Sequence, residues 1–304
     1  MDANGEGGEF AALARLAARL PALRPPEVGI GDDAAVVVTG DRTLLAADTF
    51  VVGVHADLSL TSLADFGWKA VAANVSDIAA MGGIPTHLLV TVAGPGCTDL
   101  SLLYDGVAAA AAFWDCPVVG GDLTNAPTLV VTVAVAGGLP GPPILRRGAH
   151  PGDGIWVTGP LGLAATGLRR LRAGEKGAGV AVEVHRRPRP SVAAGLAARA
   201  AGASSMIDVS DGLLADVGHL ASASGVGVTL EAVPVGAGAT EEEALTGGED
   251  YVLVFTAADP TAVTAAFAGL AAPVMIGTCT ADATIRRFRG RPFPARGGWE
   301  HTWA

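Results

Sequence analysis

The chain has 304 residues, half of them apolar, and a formal net charge of −10. That length suggests two domains, or one large one, with an ample core, and the acidic balance argues against a nucleic-acid surface. The longest uncharged stretches, near 79–98 and 123–145, are broken by Gly and Pro into strand-length pieces, so no spanning helix of roughly 20 residues is expected.

The start, MDANGEGGEF, is acidic and polar rather than signal-like, and a cytoplasmic location with no membrane partner is expected. Cys97, Cys116 and Cys279 form no CxxC pair and read as small core residues in a reducing compartment. Residues 9–20 carry an amphipathic helical pattern that Pro21, Pro25 and Pro26 end. VGIGDDAAVVV (28–38) is a glycine turn with two acids and then a β-branched run; LLAADTFVVGVHADL (44–58) repeats the plan around Asp48.

A helix is predicted over 62–81, stopped by Gly82 and Gly83. Apolar residues occupy almost every face, so it should be buried. Asp77 is the exception, and burying a carboxylate is costly unless it is paired, hydrogen-bonded or bound to metal. Lys69 is eight residues back, about two turns away, and Asn74 offers only hydrogen bonds. Asp77 therefore needs a partner from elsewhere; a wet stripe or a cap on another segment is the plain alternative.

Strand-like 87–93, helical 100–113, PVVGGD (117–122) as a strand ending in Gly-Gly-Asp, and strand-like 128–136 follow. The Gly- and Pro-rich stretch 137–154, with Arg146 and Arg147, links to a second domain, giving domains 1–140 and 141–304. The second holds strands at 155–158, 226–230, 252–256, 274–279 and 284–288 and helices at 162–173, 191–201 and 260–270. Residues 206–225 form a strand, an acidic turn and a helix capped at Ser210 or Asp211. The mixture is α/β or α+β.

Asp32, Asp33, Asp48, Asp122, Asp208 and Asp211 each sit at the border of an apolar run and a turn, where open sheets place ligand sites. One such Asp is usually a turn former. Together with Asp77, in a chain only 16% charged, the set would repel itself without cations. Mg²⁺ fits an all-oxygen donor set shared with substrate phosphates; zinc does not, with no HExxH and no Cys pair. Gly120-Gly121-Asp122 and Gly247-Gly248-Glu249-Asp250 would let backbone approach a ligand closely, and no GxxxxGK[ST] loop or protein-kinase motif set is present.

GIGDDAA, ADTFVVGVH, KAVAANVSDIAAMGG, GGD, IDVSDGL and TGGEDY occur in this order between about residues 8 and 299. In that order and spacing the chain resembles the bacterial thiamine-monophosphate kinases of the aminoimidazole ribonucleotide synthetase superfamily. The resemblance implies a two-domain synthetase-like fold, in which an N-terminal mixed sheet with helices on one side pairs in a homodimer and a C-terminal α/β domain completes the active site. It implies Mg²⁺-dependent transfer of phosphoryl from ATP to thiamine phosphate, giving thiamine diphosphate.

By the same resemblance Asp33, Asp48, Asp77, Asp122, Asp208 and Asp211 match metal-binding acids. Gly121, Asp122, Arg146, Ser210 and Tyr104 match ATP-side positions, and His55, Glu249 and Trp299 match the thiamine phosphate side. The chemistry agrees: Arg forks onto phosphate oxygens, and an indole stacks on a cationic or pyrimidine ring. Arg146 as a solvated linker charge, His55 as a strand-end cap and Trp299 as a cover on the core are the alternatives, and His219 reads as structural.

Departures from the family pattern are Ala46-Ala47 before Asp48, Ala56 after His55, Leu123 where Thr is common, and the closing Gly298-Trp299-Glu300-His301-Thr302. The rival functions are another ATP-dependent member of the superfamily, which would need a reactive Cys near a chain end, and a nucleotide binder that has lost catalysis, with Ala46-Ala47 as the scar.

Overall fold

The computed structural model describes residues 15–16, 18–20, 38–40, 42–175, 179–294 and 298–299. Asp32, Asp33 and most of the helical pattern at 9–20 lie outside them. The chain divides into two compact units, one of residues 1–75 and 85–139, the other of 76–84 and 140–304.

The first unit contains β1 (Thr43–Val51), most of α1 (Leu63–Ala80), β2 (Ile84–Gly94), α2 (Leu100–Phe113), β3 (Val118–Asn125) and β4 (Val130–Gly138). Its sheet has the order β1-β4-β2-β3. β1 runs antiparallel to β4 and β2 parallel to β3, so the sheet is mixed. Burial alternates along β4, with Val131, Val133 and Val135 inside, the period-two signature of a sheet covered on one face. On β1, Phe50 is buried and meets Phe66 of α1 edge-on, with ring centroids 6.3 Å apart. Leu45, on the opposite face of that strand, is 80% exposed.

The helices α1 and α2 cross at two glycines. A Cβ on Gly106 would lie 1.7 Å from the Ala64 carbonyl oxygen, and one on Gly67 2.4 Å from that of Leu103. Asp99 caps α2 by accepting from the Leu102 N–H at 3.0 Å.

The second unit contains β5 (Gly154–Val157), α3 (Leu163–Arg172), α4 (Val180–Arg186), α5 (Val192–Ala200), β6 (Ser205–Asp208), α6 (Leu213–Ser224) and β7 (Gly227–Leu230). After these come α7 (Glu241–Thr246), β8 (Leu253–Ala257), α8 (Pro260–Ala266), β9 (Val274–Thr280), β10 (Arg286–Phe288) and β11 (Arg291–Pro292). Seven strands pair in the order β11-β10-β7-β9-β5-β8-β6.

The central strands are apolar on both faces. Ile155, Val157, Ile207 and Val254 enter one core with Leu213, Val217 and Leu220 of α6. Their neighbours Trp156, Met206, Leu253 and Phe255 enter another with Ala194, Ala197 and Ala198 of α5, Val263 of α8, and Ala79 and Ala80 from the end of α1. Continuous apolar runs mark a sheet covered on both sides, which makes this unit a three-layer α/β sandwich.

Several expectations change in detail. Asp48 and Asp122 stand within β1 and β3, not at strand borders, because each strand runs on past its acid. Cys97 is exposed, while Cys116 and Cys279 are buried, with burial pushing their thiols up to about 12 and about 11. Two helices, α4 and α7, have no counterpart in the sequence reading; each is only two turns or less, too short to show a hydrophobic period.

Candidate active site

The C-terminal end of α1 belongs to the second unit and brings Asp77 with it. Ser76, fully buried, donates to Asp208 Oδ2 at 2.6 Å, and Asp77 follows in a half-buried position. The turn just after this helix is held by the Arg199 guanidinium: Nε donates to Gly82 O at 2.9 Å, Nη2 to Met81 O at 3.1 Å, and Nη1 to Pro142 O. Gly195 lets α5 come close, since a Cβ there would lie 2.2 Å from Ala79 O.

The turn between β6 and α6 carries Asp208, Ser210 and Asp211, and both sides of its backbone are engaged. The N–H groups of Ser210, Asp211 and Gly212 all donate to Oδ2 of Asp216, at 3.1–3.2 Å. The sequence places the cap of α6 at Ser210 or Asp211. The structure places it at Gly212, which makes no side-chain cap bond, and the work passes to Asp216, one turn inside the helix. Gly212 has φ +126°, and a Cβ there would lie 2.8 Å from Thr246 O, so only glycine fits.

The carbonyl side meets two other segments. Tyr251 N–H donates to Val209 O at 2.9 Å, Glu249 N–H to Ser210 O at 2.9 Å, and Trp299 N–H to Asp211 O at 3.0 Å. Three stretches that the sequence separates widely, 209–212, 248–251 and 298–299, therefore lie side by side. Gly248 and Gly298 permit the approach: a Cβ on the first would lie 2.3 Å from Ser210 O, and on the second 2.4 Å from Asp211 O. These glycines serve backbone packing, as does Gly121, whose Cβ would lie 1.8 Å from Val90 O. The missing side chains of Gly121 and Gly248 make room for neighbouring carbonyls.

The 248–251 loop is strained and pinned. Glu249 and Tyr251 both have positive φ, +68° and +50°, costing of order 1–3 kcal/mol each. Between them Asp250 is buried and accepts the Gly162 and Ala164 N–H groups at the start of α3. Burial pushes its carboxyl up to about 6, opposed by those N–H bonds. Glu249 Oε2 lies 3.7 Å from Nδ1 of the buried His185.

Burial pushes Asp216 up to about 8, with the charges of Asp208 and Asp211 adding to the rise. Potential ligand atoms of Asp211, Asp216 and His219 lie within 4.8 Å of one another. A crowd of carboxylates that pushes one of its members towards neutrality is a place where a cation relieves repulsion.

Asp77, Asp208, Ser210, Asp211, Glu249 and Trp299 thus share the second unit with Arg146, which is exposed in the linker. Asp48, Asp122, Gly121, His55 and Tyr104 share the first, and Asp33 lies outside the described residues. In the first unit Asp48 N–H donates to Asn74 Oδ1 at 3.1 Å, fixing β1 to α1. Asp122 and Gly121 are exposed on β3. Tyr104 is buried, which pushes its phenol up to about 12.

His55 Nδ1 accepts the Val51 N–H at 3.0 Å, so in the neutral ring the proton sits on Nε2; the strand-end alternative describes that nitrogen. Trp299 is 59% exposed, which removes its alternative as a cover on the core. His219 is exposed on α6. Asp216 and Asp250 were missed. Each is an acid in an apolar setting, the signal that singled out Asp77.

Two α/β units, each carrying part of the acid set, define a two-domain synthetase-like fold. The family described as AIR synthase related protein matches with its N-terminal domain over residues 31–139 and its C-terminal domain over residues 150–288. The chain belongs to this family, among the thiamine-monophosphate kinases. It is 37% identical to the thiamine-monophosphate kinase of Salmonella typhimurium over 317 residues, covering 96% of this chain and 97% of that protein. It is 38% identical to that of Escherichia coli K12, covering 90% and 91%.

The crystal structure of thiamine-monophosphate kinase from Stenotrophomonas maltophilia superposes with a TM-score of 0.81 at 34% identity, covering 93% of this chain and 97% of that one. AaThiL complexed with AMPPCP and TMP gives 0.77 at 27% identity, covering 98% of both chains. Hydrogenase maturation protein HypE, at 18% identity and a TM-score of 0.72, shares the fold.

Proposed function

We propose that the chain is a thiamine-phosphate kinase, transferring the γ-phosphoryl of ATP to the terminal phosphate of thiamine phosphate. The observation that carries this reading is the backbone junction of 209–212, 248–251 and 298–299, which sets Asp211, matched to metal binding, beside the two residues matched to the acceptor, Glu249 and Trp299. Asp77, Asp208 and Asp211, with Asp48, Asp122 and Asp33, would hold Mg²⁺. Bound there, Mg²⁺ would neutralise the phosphates of two anionic reactants.

The remaining roles fall to this chain's own groups. Glu249 accepts a hydrogen bond from an aminopyrimidine, and the exposed Trp299 indole stacks on a cationic thiazolium. Arg146, Ser210, Gly121 and, more weakly, Tyr104 are assigned to ATP, and His55 Nε2–H to the acceptor side. A terminal phosphate oxygen of thiamine phosphate forms the new P–O bond as the bond between the γ-phosphorus and ADP breaks, in line. That oxygen is already a nucleophile at neutral pH, so the transfer needs no general base and no covalent enzyme intermediate.

The protein is proposed to act as a cytoplasmic homodimer, pairing through the open face of the first unit's sheet where Leu45 stands 80% exposed. No helix among the described residues is long and apolar enough to cross a membrane. The deciding experiment supplies ATP and Mg²⁺ with and without thiamine phosphate, measures ADP release and identifies the product by mass. Acceptor-dependent ADP matched by thiamine diphosphate is expected; ATP bound without turnover, or turned over only with another acceptor, overturns the reading.

A further inference from the structure

We propose that Asp216, which the family resemblance does not assign, is the positioning residue that holds the metal-side turn and the acceptor-side segments in one register. The inference rests on the kinase reading above. Asp216 is 2% exposed, on α6 among Leu213, Leu214, Val217 and Leu220. One of its oxygens receives three consecutive N–H groups, those of Ser210, Asp211 and Gly212. Opposite those N–H groups, the carbonyls of Val209, Ser210 and Asp211 receive Tyr251, Glu249 and Trp299.

The turn is therefore clamped from both sides. Its N–H side sets where Ser210 and Asp211 stand, directly after Asp208, and its carbonyl side sets where Glu249 and Trp299 stand. Asp216 touches neither reactant. Its contribution passes through backbone, so its loss moves both ends of the site together. Outer partners that fix ligand orientation typically matter by 10–100-fold in affinity. A residue with a merely structural role would lower the amount of folded protein and leave the constants of the folded fraction unchanged.

The test uses the full chain, wild type, Asp216→Ala and Asp216→Asn. Asn keeps a carbonyl oxygen that takes the same three N–H bonds. Amide hydrogen exchange is the readout that does not depend on activity. The amides of residues 210–212 should be slow in the wild type, about tenfold or more faster in Asp216→Ala, and close to wild type in Asp216→Asn. In parallel, the KM for thiamine phosphate and the half-saturating Mg²⁺ should both rise about tenfold or more in Asp216→Ala and return to within about threefold in Asp216→Asn.

Fast exchange at 210–212 in the wild type overturns the proposal, and so does a rise in only one of the two constants. Asn behaving like Ala also overturns it. Should Asp216→Ala not fold, the wild-type and Asn exchange rates still decide. A wild type without acceptor-dependent turnover overturns the kinase reading instead, and the exchange result stands apart from it.

Discussion

The turn after α1 and the turn before α6 are each gathered by one side chain. At the first, a guanidinium gathers three carbonyls; at the second, a carboxyl gathers three N–H groups. Of the two side chains, Asp216 stands near acids assigned to metal, Asp208 and Asp211. Arg199 and Asp216 differ in burial. Arg199 is partly open, and water can take over its carbonyls; Asp216 is sealed, and its N–H groups would be left unpaired. The cost of losing a cap depends on whether solvent can replace it more than on how many bonds it makes.

The largest effect expected touches Asp77, near the end of α1. Asp77→Asn should lower kcat by at least about 10²-fold, the scale of losing a preorganised electrostatic group, with the melting temperature kept; near-normal turnover would remove Asp77 from the metal set. Next comes the comparison itself. Asp216→Ala should destabilise by about 3–5 kcal/mol, as expected when a buried polar network loses one partner, against about 1–2 kcal/mol for Arg199→Ala. Urea denaturation of both variants measures the difference, and equal losses would refute the solvent argument.

A third test uses pH on the metal-free protein. Folding raises the carboxyl of Asp216 to about 8 and that of Asp250 to about 6. Between about pH 4 and 8 the folded chain thus binds more protons than the unfolded one, and stability contributed by these groups is lost as pH rises through that window. Asp216→Asn should remove the part between pH 6 and 8, whereas Arg199→Ala should leave the slope unchanged; a slope unaltered in Asp216→Asn would contradict the assignment.

The smallest effect concerns Glu243. Its side chain closes a capping box with Thr240, and Arg169 Nε donates to it at 2.7 Å, which together with further hydrogen bonds holds its carboxyl down to about 2. Glu243→Gln should cost about 1 kcal/mol and leave the KM for thiamine phosphate unchanged.

The sequence alone was enough to identify α1 and a mixture of strands and helices over two domains, because long periodic or uniformly apolar runs bordered by Gly and Pro leave few alternatives; the mixed first sheet came only with the family resemblance. It also singled out Asp77, since an acid in an apolar helix has to be explained. What it left open was what each glycine and cap does. Gly121 and Gly248 read as ligand-approach points in the sequence, and the structure adds that each is a contact point between backbones. The cap of α6 moves from the expected Ser210 or Asp211 to Asp216, because a side chain one turn inside the helix reaches back to three N–H groups at once.

Composition, motif order and element periods are local properties, and the sequence determined them. The junction of 209–212 with 248–251 and 298–299 depends on backbone hydrogen bonds between residues up to about ninety positions apart, whose partners no local pattern specifies. Only the packing of β6, β8 and α6 decided that three distant stretches share one turn, and that one buried carboxyl holds it.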